Sequence, residues 1–367
     1  MSDLKQLTAP VPPGGTIGIL GGGQLGRMLA LAAARLGLRT HIYSDEEDSP
    51  AFQVSAQRTC ASFRDASALE RFAAACSVIT CEFENVPAET GALLSPLKPV
   101  RPNPRALATT QERFEEKSFV SRLGLETAAF LPVNSPADAR SAFQQLGASR
   151  AVLKTRRMGY DGKGQVLVGS ATEAAQACER FEGIPLLLES FVDFEYEASV
   201  VAARGTNGDF AAYDPPENTH RHHILHRSTV PSRLRNGQIA EAKRMAREIA
   251  EALDYVGVLG VELFVCKDGQ LLVNEIAPRV HNSGHWTIDA CLVSQFEQHI
   301  RAVAGWPLGS TERHSNAVME NLIGEDACDW QALAGRGGAL HLYGKSEIRP
   351  GRKMGHITWL KPEAGVR

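Results

Sequence analysis

The sequence predicts an α/β (α+β) chain in three parts. These are an N-terminal Rossmann-like parallel-sheet domain, a small α+β lid domain, and a larger C-terminal α+β domain built on an antiparallel sheet. Three observations carry this. Residues 16–81 alternate short buried strands with helices, beginning with a glycine-rich strand-to-helix turn. Residues 125–190 repeat the alternation around a loop dense in glycine and cations. From Ser190 onward β-rich runs dominate, broken by one long helix and an apolar hairpin. The boundaries expected are 1–115, 116–190 and 191–367. At 367 residues, 43% apolar and 22% charged, the chain has the composition of a soluble globular protein with several cores. A formal charge of −3 offers no electrostatic footprint for nucleic acid. No run reaches membrane-spanning length. The opening residues MSDLKQLTAPVPPGG lack the apolar core of a signal peptide and read as a loose leader. Seven cysteines, at 60, 76, 81, 178, 266, 291 and 328, show no CxxC spacing. They read as reduced, mostly buried thiols of a cytoplasmic protein.

In order, Thr16 to Leu20 predicts a buried strand running into Gly21-Gly22-Gly23-Gln24-Leu25-Gly26 and a helix to about Leu36. A second strand, Arg39 to Tyr43, ends at Ser44-Asp45. Such a turn offers N–H groups and a favourable dipole to a phosphate, and Asp45 stands where a ribose-binding acid belongs in a dinucleotide fold. A tight turn without ligand fits equally. A helix near Ala66–Ala75 and a strand Val78–Cys81 follow. Glu82-Phe83-Glu84-Asn85-Val86-Pro87 then lies at the carboxyl edge of the sheet, where α/β folds bind ligands. A helix Gln111–Leu123 carries Arg113 and Lys117. The lid reads strand Thr127–Leu131, helix Pro136–Leu146 capped by Ser135, strand Ala151–Lys154, strand Gln165–Val168, helix Ala171–Phe181 and strand Leu186–Glu189. Its loop, Thr155 to Gly164, predicts a mobile phosphate-seeking flap.

Pro215 to His223 is expected as a polar loop at a ligand edge; its three histidines lack the partners of a zinc site. A helix Gln238–Leu253 precedes the hairpin Val261 to Glu275. Asp268-Gly269 suits a two-residue type I′ turn. Counting back, Cys266 faces Leu271, Phe264 faces Val273, and Glu262 faces Glu275 on one face. Two carboxylates side by side between apolar strands invite a hard divalent cation; a protonated glutamate or an arginine partner is the alternative. Ile276 to Trp286, with Arg279, His281 and Asn282, suits a small anion. A helix Asp289–Ala304 and short strands at Ala317–Leu322, Gly338–Leu342 and His356–Leu360 complete the chain. Lys345 and Arg352 between the last two strands suggest a second phosphate site.

Together GGGQLGRM, TCEFENVP, KTRRMGYDGKGQ, ENTHR, VNEIAPRVHNSGHWT, HLYGK and RPGRKMGH resemble the ATP-grasp superfamily, and within it the branch that carboxylates 5-aminoimidazole ribonucleotide in purine biosynthesis. The likeness spans about residues 16–361. It implies an ATP- and bicarbonate-dependent carbon–nitrogen ligase acting through carboxyphosphate, with two Mg2+ ions and a homodimeric state. It implies Glu262 and Glu275 on magnesium. Around ATP it implies Arg113, Lys154, Gly159, Tyr160, Asp161, Gly162, Lys163, Gly164, Gln165, Glu189, Ser190, Phe191, Val192, Glu197, His220, Asn274 and Glu275. Arg279, His281 and Asn282, with Tyr160 and Asp161, would be catalytic, the first three holding bicarbonate. Gln24, Leu25, Glu82, Tyr160, Asp161, Lys345 and Arg352 would hold the ribonucleotide, and the glycine turn would serve its phosphate end. Two departures stand out: Met158 replaces the first glycine of the usual Arg-Gly-Gly-Tyr flap, and Ala277 replaces an asparagine ligand. The alternatives are a formate- or biotin-dependent sister ligase, an NAD-dependent oxidoreductase argued from Gly21 to Asp45, and an ATP-binding sensor without turnover.

Overall fold

The structure, a computed structural model, describes residues 9–159 and 162–361. The leader at residues 1–8 lies outside them, as do Tyr160 and Asp161. Three sheets organise the chain, as the patterning predicts.

The first sheet is parallel, in the order β3-β2-β1-β4, from β1 (Thr16–Leu20), β2 (Arg39–Ser44), β3 (Gln57–Cys60) and β4 (Val78–Cys81). The helices α1 (Gln24–Arg35) and α2 (Ala66–Ala74) cross between strands. Asp65 caps α2 by accepting from the Ala68 N–H at 3.0 Å. Sequence reading missed β3: its four residues, Gln-Arg-Thr-Cys, are almost wholly exposed at a sheet edge and carry no apolar run.

Beyond α3 (Ala88–Leu94) and α4 (Pro104–Thr110), α5 runs Arg113–Arg122. The expected helix from Gln111 is corrected here. The Glu112 carboxylate caps α5 by accepting from the Phe114 and Glu115 N–H groups, so Gln111 lies before the helix. Its amide instead donates to the Glu84 and Val86 carbonyls at 2.6 and 2.8 Å.

The second sheet is antiparallel, β5-β8-β6-β7, from β5 (Phe130–Val133), β6 (Ala151–Thr155), β7 (Gln165–Val168) and β8 (Leu186–Ser190). It is backed by α6 (Pro136–Leu146) and α7 (Ala171–Glu179), capped by Ser135 and Ser170. The first strand falls at Phe130–Val133 rather than Thr127–Leu131: the Thr127 hydroxyl donates to the Val273 carbonyl at 2.7 Å, in the next sheet.

The third sheet has nine strands in the order β14-β13-β9-β11-β12-β15-β17-β16, with β10 on β9. They are β9 (Phe194–Arg204), β10 (Phe210–Ala212), β11 (Glu217–Arg221), β12 (Ile224–Val230), β13 (Gly257–Cys266), β14 (Leu271–Ala277), β15 (Asn316–Ile323), β16 (Ala339–Leu342) and β17 (Lys353–Lys361). The helix α8 (Asn236–Ala252) packs on one face through Ala242, Met245, Ala246, Ile249 and Ala250. Two expectations fail in this region. Glu217 to Arg221 is a strand, and His222-His223 forms its two-residue turn with φ of 50° and 64°, the left-handed pair of a type I′ hairpin. The helix at Asp289–Ala304 is broken into α9 (Thr287–Ala290) and α10 (Gln295–Ala304). Cys291 between them bridges to Arg313, and Ser294 caps α10. The short α11 (Trp330–Ala334) lies against the tail. Four cysteines, Cys76, Cys81, Cys178 and Cys291, are buried, while Cys60 and Cys328 are exposed.

The β13–β14 hairpin is built differently from the expected one. Gly269 N–H donates to the Cys266 carbonyl and Cys266 N–H to the Gln270 carbonyl, which closes a three-residue loop. Only Gly269 has positive φ, at 90°, whereas a type I′ turn needs two such residues. The ladder shifts by one: Val265 faces Leu271 and Leu263 faces Val273. An irregularity between Glu262 and Leu263 then restores Glu262 opposite Glu275.

Candidate active site

A cleft of about 1240 Å³ opens where the three sheets meet. Its lining draws on the carboxyl edge of β4, the flap, β8, β9, β11, β13, β14 and the segment after β14.

Glu262 and Glu275 stand side by side on the third sheet and both line the cleft. Burial pushes the Glu262 carboxyl up, but the hydrogen bond from His281, with the charges of His220 and Lys353 further off, outweighs it and holds it at about 2. His281 Nε2 lies 3.0 Å from Glu262 Oε1. Glu275 is raised, first by burial and then by the Glu262 charge, with Arg113 at 3.5 Å opposing. Juxtaposed oxygen donors on one wall of the cleft fit a hard divalent cation.

Beside them, Lys154 Nζ lies 2.8 Å and Lys117 Nζ 3.4 Å from Glu189 Oε2. Burial raises Glu189, but the two lysines prevail and set it near 2. Burial lowers Lys154. Lys117, wholly buried, also donates to Thr127 and the Asn274 carbonyl, tying the lid to β14. Arg113 donates to the Gly159 carbonyl at 2.9 Å and so reaches the flap. Met158 in the flap takes φ of 63°, a conformation that suits the glycine it replaces. His220 pairs with Glu197 at 2.5 Å; burial lowers the imidazole, but that bond raises it overall. His222 and His223 also line the cleft, and a Cβ on Gly162 would come 2.7 Å from the His223 ring, so the flap rests on this hairpin.

Arg279, His281 and Asn282 lie on the other flank. Arg279 pairs with Glu84, which it holds near 2 against the upward push of burial. Asn282 exchanges amide hydrogen bonds with Asn321 at 3.0 and 2.8 Å.

The glycine turn gives two of its N–H groups to the protein itself: the Glu82 carboxylate accepts from Gly23 N–H at 2.8 Å and Gly26 N–H at 3.0 Å. A Cβ on Gly21 would come 2.3 Å from Glu82, so this glycine, with φ of 108°, makes room for a side chain of the protein itself. Asp45 is exposed. Lys345 and Arg352 do not line the main cleft. Lys345, however, feels both Arg352 and Glu82, so the tail returns to the glycine turn.

Of the other expected residues, Gln24, Leu25, Gly159, Gly162, Lys163, Gln165, Ser190, Phe191, Val192 and Asn274 line the cleft. Gly164 does not; its carbonyl accepts from Thr155 N–H at 2.8 Å. Tyr160 and Asp161 lie outside the described residues. Sequence reasoning passed over Glu84, Glu116 and Lys353, which also line the cleft. Glu84 and Lys353 sit inside motifs already singled out; Glu116, pushed to about 8 by burial and then by Glu275, has no pattern that marks it.

A separate group, Asp289, His341 and His356, has ligand-type atoms within 4.8 Å of one another. The two imidazoles stack at 12°, so their in-plane lone pairs run side by side rather than converging, and Asp289 already accepts from His341 at 3.0 Å.

A lysine-lined nucleotide cleft under a glycine flap, with paired glutamates on an adjoining antiparallel sheet, defines an ATP-grasp enzyme. Sequence models agree: the ATP-grasp domain matches residues 118–296, the ribonucleotide synthetase preATP-grasp domain 15–111, and the phosphoribosylaminoimidazole carboxylase C-terminal domain 317–365. An N5-carboxyaminoimidazole ribonucleotide synthase of Brucella melitensis is 54% identical over 95% of this chain and 97% of its own. The solved N5-carboxyaminoimidazole synthetase of Staphylococcus aureus with ADP has a TM-score of 0.92 at 36% identity, covering 97% of this chain and 95% of that one. The Aspergillus clavatus enzyme, in complex with ADP and 5-aminoimidazole ribonucleotide, has a TM-score of 0.89 at 31% identity, covering 95% and 94%. The chain belongs to the N5-carboxyaminoimidazole ribonucleotide synthase family.

Proposed function

We propose that this enzyme carboxylates the exocyclic amine of 5-aminoimidazole ribonucleotide, using ATP and bicarbonate and releasing ADP and phosphate. The observation that carries this is the single cleft, which joins a nucleotide pocket, a carboxylate pair and an Arg279–His281–Asn282 flank within reach of Glu82.

The residues divide the work. Lys154, ordered by Glu189, and Arg113 face the triphosphate, and the flap from Gly159 to Gln165 covers it. Glu262 and Glu275 would hold magnesium, which supplies charge neutralisation on the phosphates. Arg279 and the amide of Asn282 orient bicarbonate. Its oxygen attacks the γ-phosphorus, the bond to the ADP oxygen breaks, and carboxyphosphate forms. The amine nitrogen then bonds to the carboxyl carbon of carboxyphosphate, or of the CO2 it releases, losing a proton as phosphate leaves. Positioning and charge stabilisation carry phosphoryl transfer of this kind. Gln24 and Glu82 face the ribonucleotide, with Lys345 and Arg352 for its phosphate. Unpaired thiols suit a reducing cytoplasm, and we place the enzyme there as a homodimer, which light scattering reads directly.

The test is phosphate release with bicarbonate present or absent, across candidate acceptors. Release that needs both bicarbonate and the ribonucleotide supports the reading. Release driven equally by formate, or none with any acceptor, overturns it.

A further inference from the structure

A buried polar chain leads away from the catalytic flank and no catalytic role so far described uses it. It begins at His281, whose ring packs against β13 where Gly260 leaves room: a Cβ there would come 2.8 Å from the His281 Cβ and Cγ. His281 Nδ1 lies 2.8 Å from Ser283 Oγ, and Ser283 Oγ lies 2.6 Å from Ser199 Oγ on β9. Asn218 on β11 donates its amide to Ser199 Oγ at 2.9 Å, and Ser228 on β12 donates its hydroxyl to Asn218 Oδ1 at 2.7 Å. Ser199, Ser228 and Ser283 are wholly buried, and Asn218 and His281 nearly so.

The chain has a direction. A hydroxyl carries one proton and accepts with its lone pairs. The Ser228 hydroxyl donating to Asn218 Oδ1 orients that amide, so its N–H faces Ser199. Ser199 accepts there and has its own proton left for Ser283. Ser283, having accepted, turns its proton to His281 Nδ1. A second donor points the same way: Ser283 backbone N–H lies 3.4 Å from Nδ1, and a backbone N–H can only donate. Nδ1 is therefore a lone pair, and the ring proton is on Nε2, 3.0 Å from Glu262 Oε1, a carboxylate that needs a donor. Which nitrogen carries the proton is set by what the other one meets.

We propose that Ser283, Ser199 and Asn218 are positioning residues that hold His281 as its Nε2–H tautomer. This rests on the assignment of His281 to the bicarbonate flank and sharpens it. An N–H at Nε2 is a donor suited to one oxyanion, Glu262 as it stands or a bound anion that takes its place; the other tautomer would turn a lone pair on either. His281 thus acts by donating a hydrogen bond and not by removing the bicarbonate proton.

The test is long-range ¹H–¹⁵N correlation spectroscopy on the full chain labelled at histidine nitrogen, with His281→Gln assigning the signal. The wild-type spectrum is expected to show Nε2 protonated, and a protonated Nδ1 overturns the proposal before any substitution in the chain of partners is made. Ser199→Ala removes the middle donor. Asn218→Asp makes Ser199 a donor toward β11 and leaves Ser283 without its incoming proton. Both should admit the Nδ1–H tautomer and lower kcat about 10-fold, raising the KM for bicarbonate while leaving that for ATP within about twofold. Variants that fold and keep both the wild-type spectrum and kcat overturn the proposal. A shifted tautomer with unchanged kcat and bicarbonate KM supports the chain as positioning His281, and overturns instead the placement of His281 beside bicarbonate.

Discussion

Lys345 offers the sharpest test of how the tail meets the ribonucleotide. Its ammonium donates to the Lys353 carbonyl at 2.7 Å and stands 5.8 Å from the Tyr343 ring centre. Burial first, then the positive charge of Arg352, pushes it down to about 8, with Glu82 opposing. It therefore loses its proton just above neutrality unless a dianion restores it. A phosphate near pH 7 carries almost two charges, and each charge-assisted bond to it contributes about 1.5–3 kcal/mol. At about 1.4 kcal/mol per decade, Lys345→Ala should raise the ribonucleotide KM roughly 10- to 100-fold at pH 7.5. In the wild type that KM should climb above pH 8 by up to about tenfold per pH unit, because only the protonated free enzyme binds well. Lys345→Arg, charged throughout this range, should hold it flat. The assay is initial rate against ribonucleotide, and separately against ATP, from pH 7 to 9.5. A flat wild-type profile, or a climb in the KM for ATP instead, refutes the placement.

Three further outcomes follow from the cleft. Glu275→Gln should lower turnover more than about 100-fold, while raising the melting temperature of the metal-free protein, because it relieves a half-buried like-charge contact; calorimetry in chelator reads the second effect, and a fall in melting temperature contradicts it. Glu189 is depressed from an ordinary 4.5 to about 2 by its lysines, so its contribution is whole above pH 4.5 and is lost as pH falls toward 2. Glu189→Gln should therefore destabilise the protein by about 3 kcal/mol at pH 7 and by much less at pH 3, read from urea midpoints. Protease cleavage within 155–165 should slow on adding Mg-ATP, and Met158→Gly should relieve about 1 kcal/mol of left-handed strain in the flap; equal cleavage with and without nucleotide speaks against a lid.

Much of the fold was legible because its signals are local. Ser135 caps α6 where expected, and β4 and β7 begin and end at the residues expected of them. The failures share a cause in tertiary contacts that local pattern does not carry. The exposed β3 exists because β2 has an open edge beside it. Glu217 to Arg221 looks like a polar loop, yet it pairs with both β9 and β12 in the middle of the third sheet. The glycine turn matched a phosphate-binding spacing while two of its N–H groups were already committed to Glu82, 59 residues from Gly23. A spacing reports where a backbone can approach something closely; it does not say whether a ligand or a side chain arrives.

The glutamate pair makes the same point from the other side, since the pairing was right and the ladder behind it was not. A two-residue turn at Asp268-Gly269 would place Glu262 opposite Glu275 with no irregularity. The actual three-residue loop shifts the register, and an unbroken ladder from it would set Glu262 against Asn274. Glu275 would then point to the opposite face of β14. The bulge next to Leu263 absorbs one residue and turns Asn274 and Glu275 toward the cleft together. The exposure of β14 records it: Leu271 and Val273 are buried with Leu272 between them half-buried, then Asn274 and Glu275 are half-buried in succession, and Ile276 is buried again. Bulges next to active sites re-aim side chains. Here the bulge brings Glu275 opposite Glu262 while Asn274 still lines the cleft, so one residue of backbone irregularity turns two polar side chains into the same site.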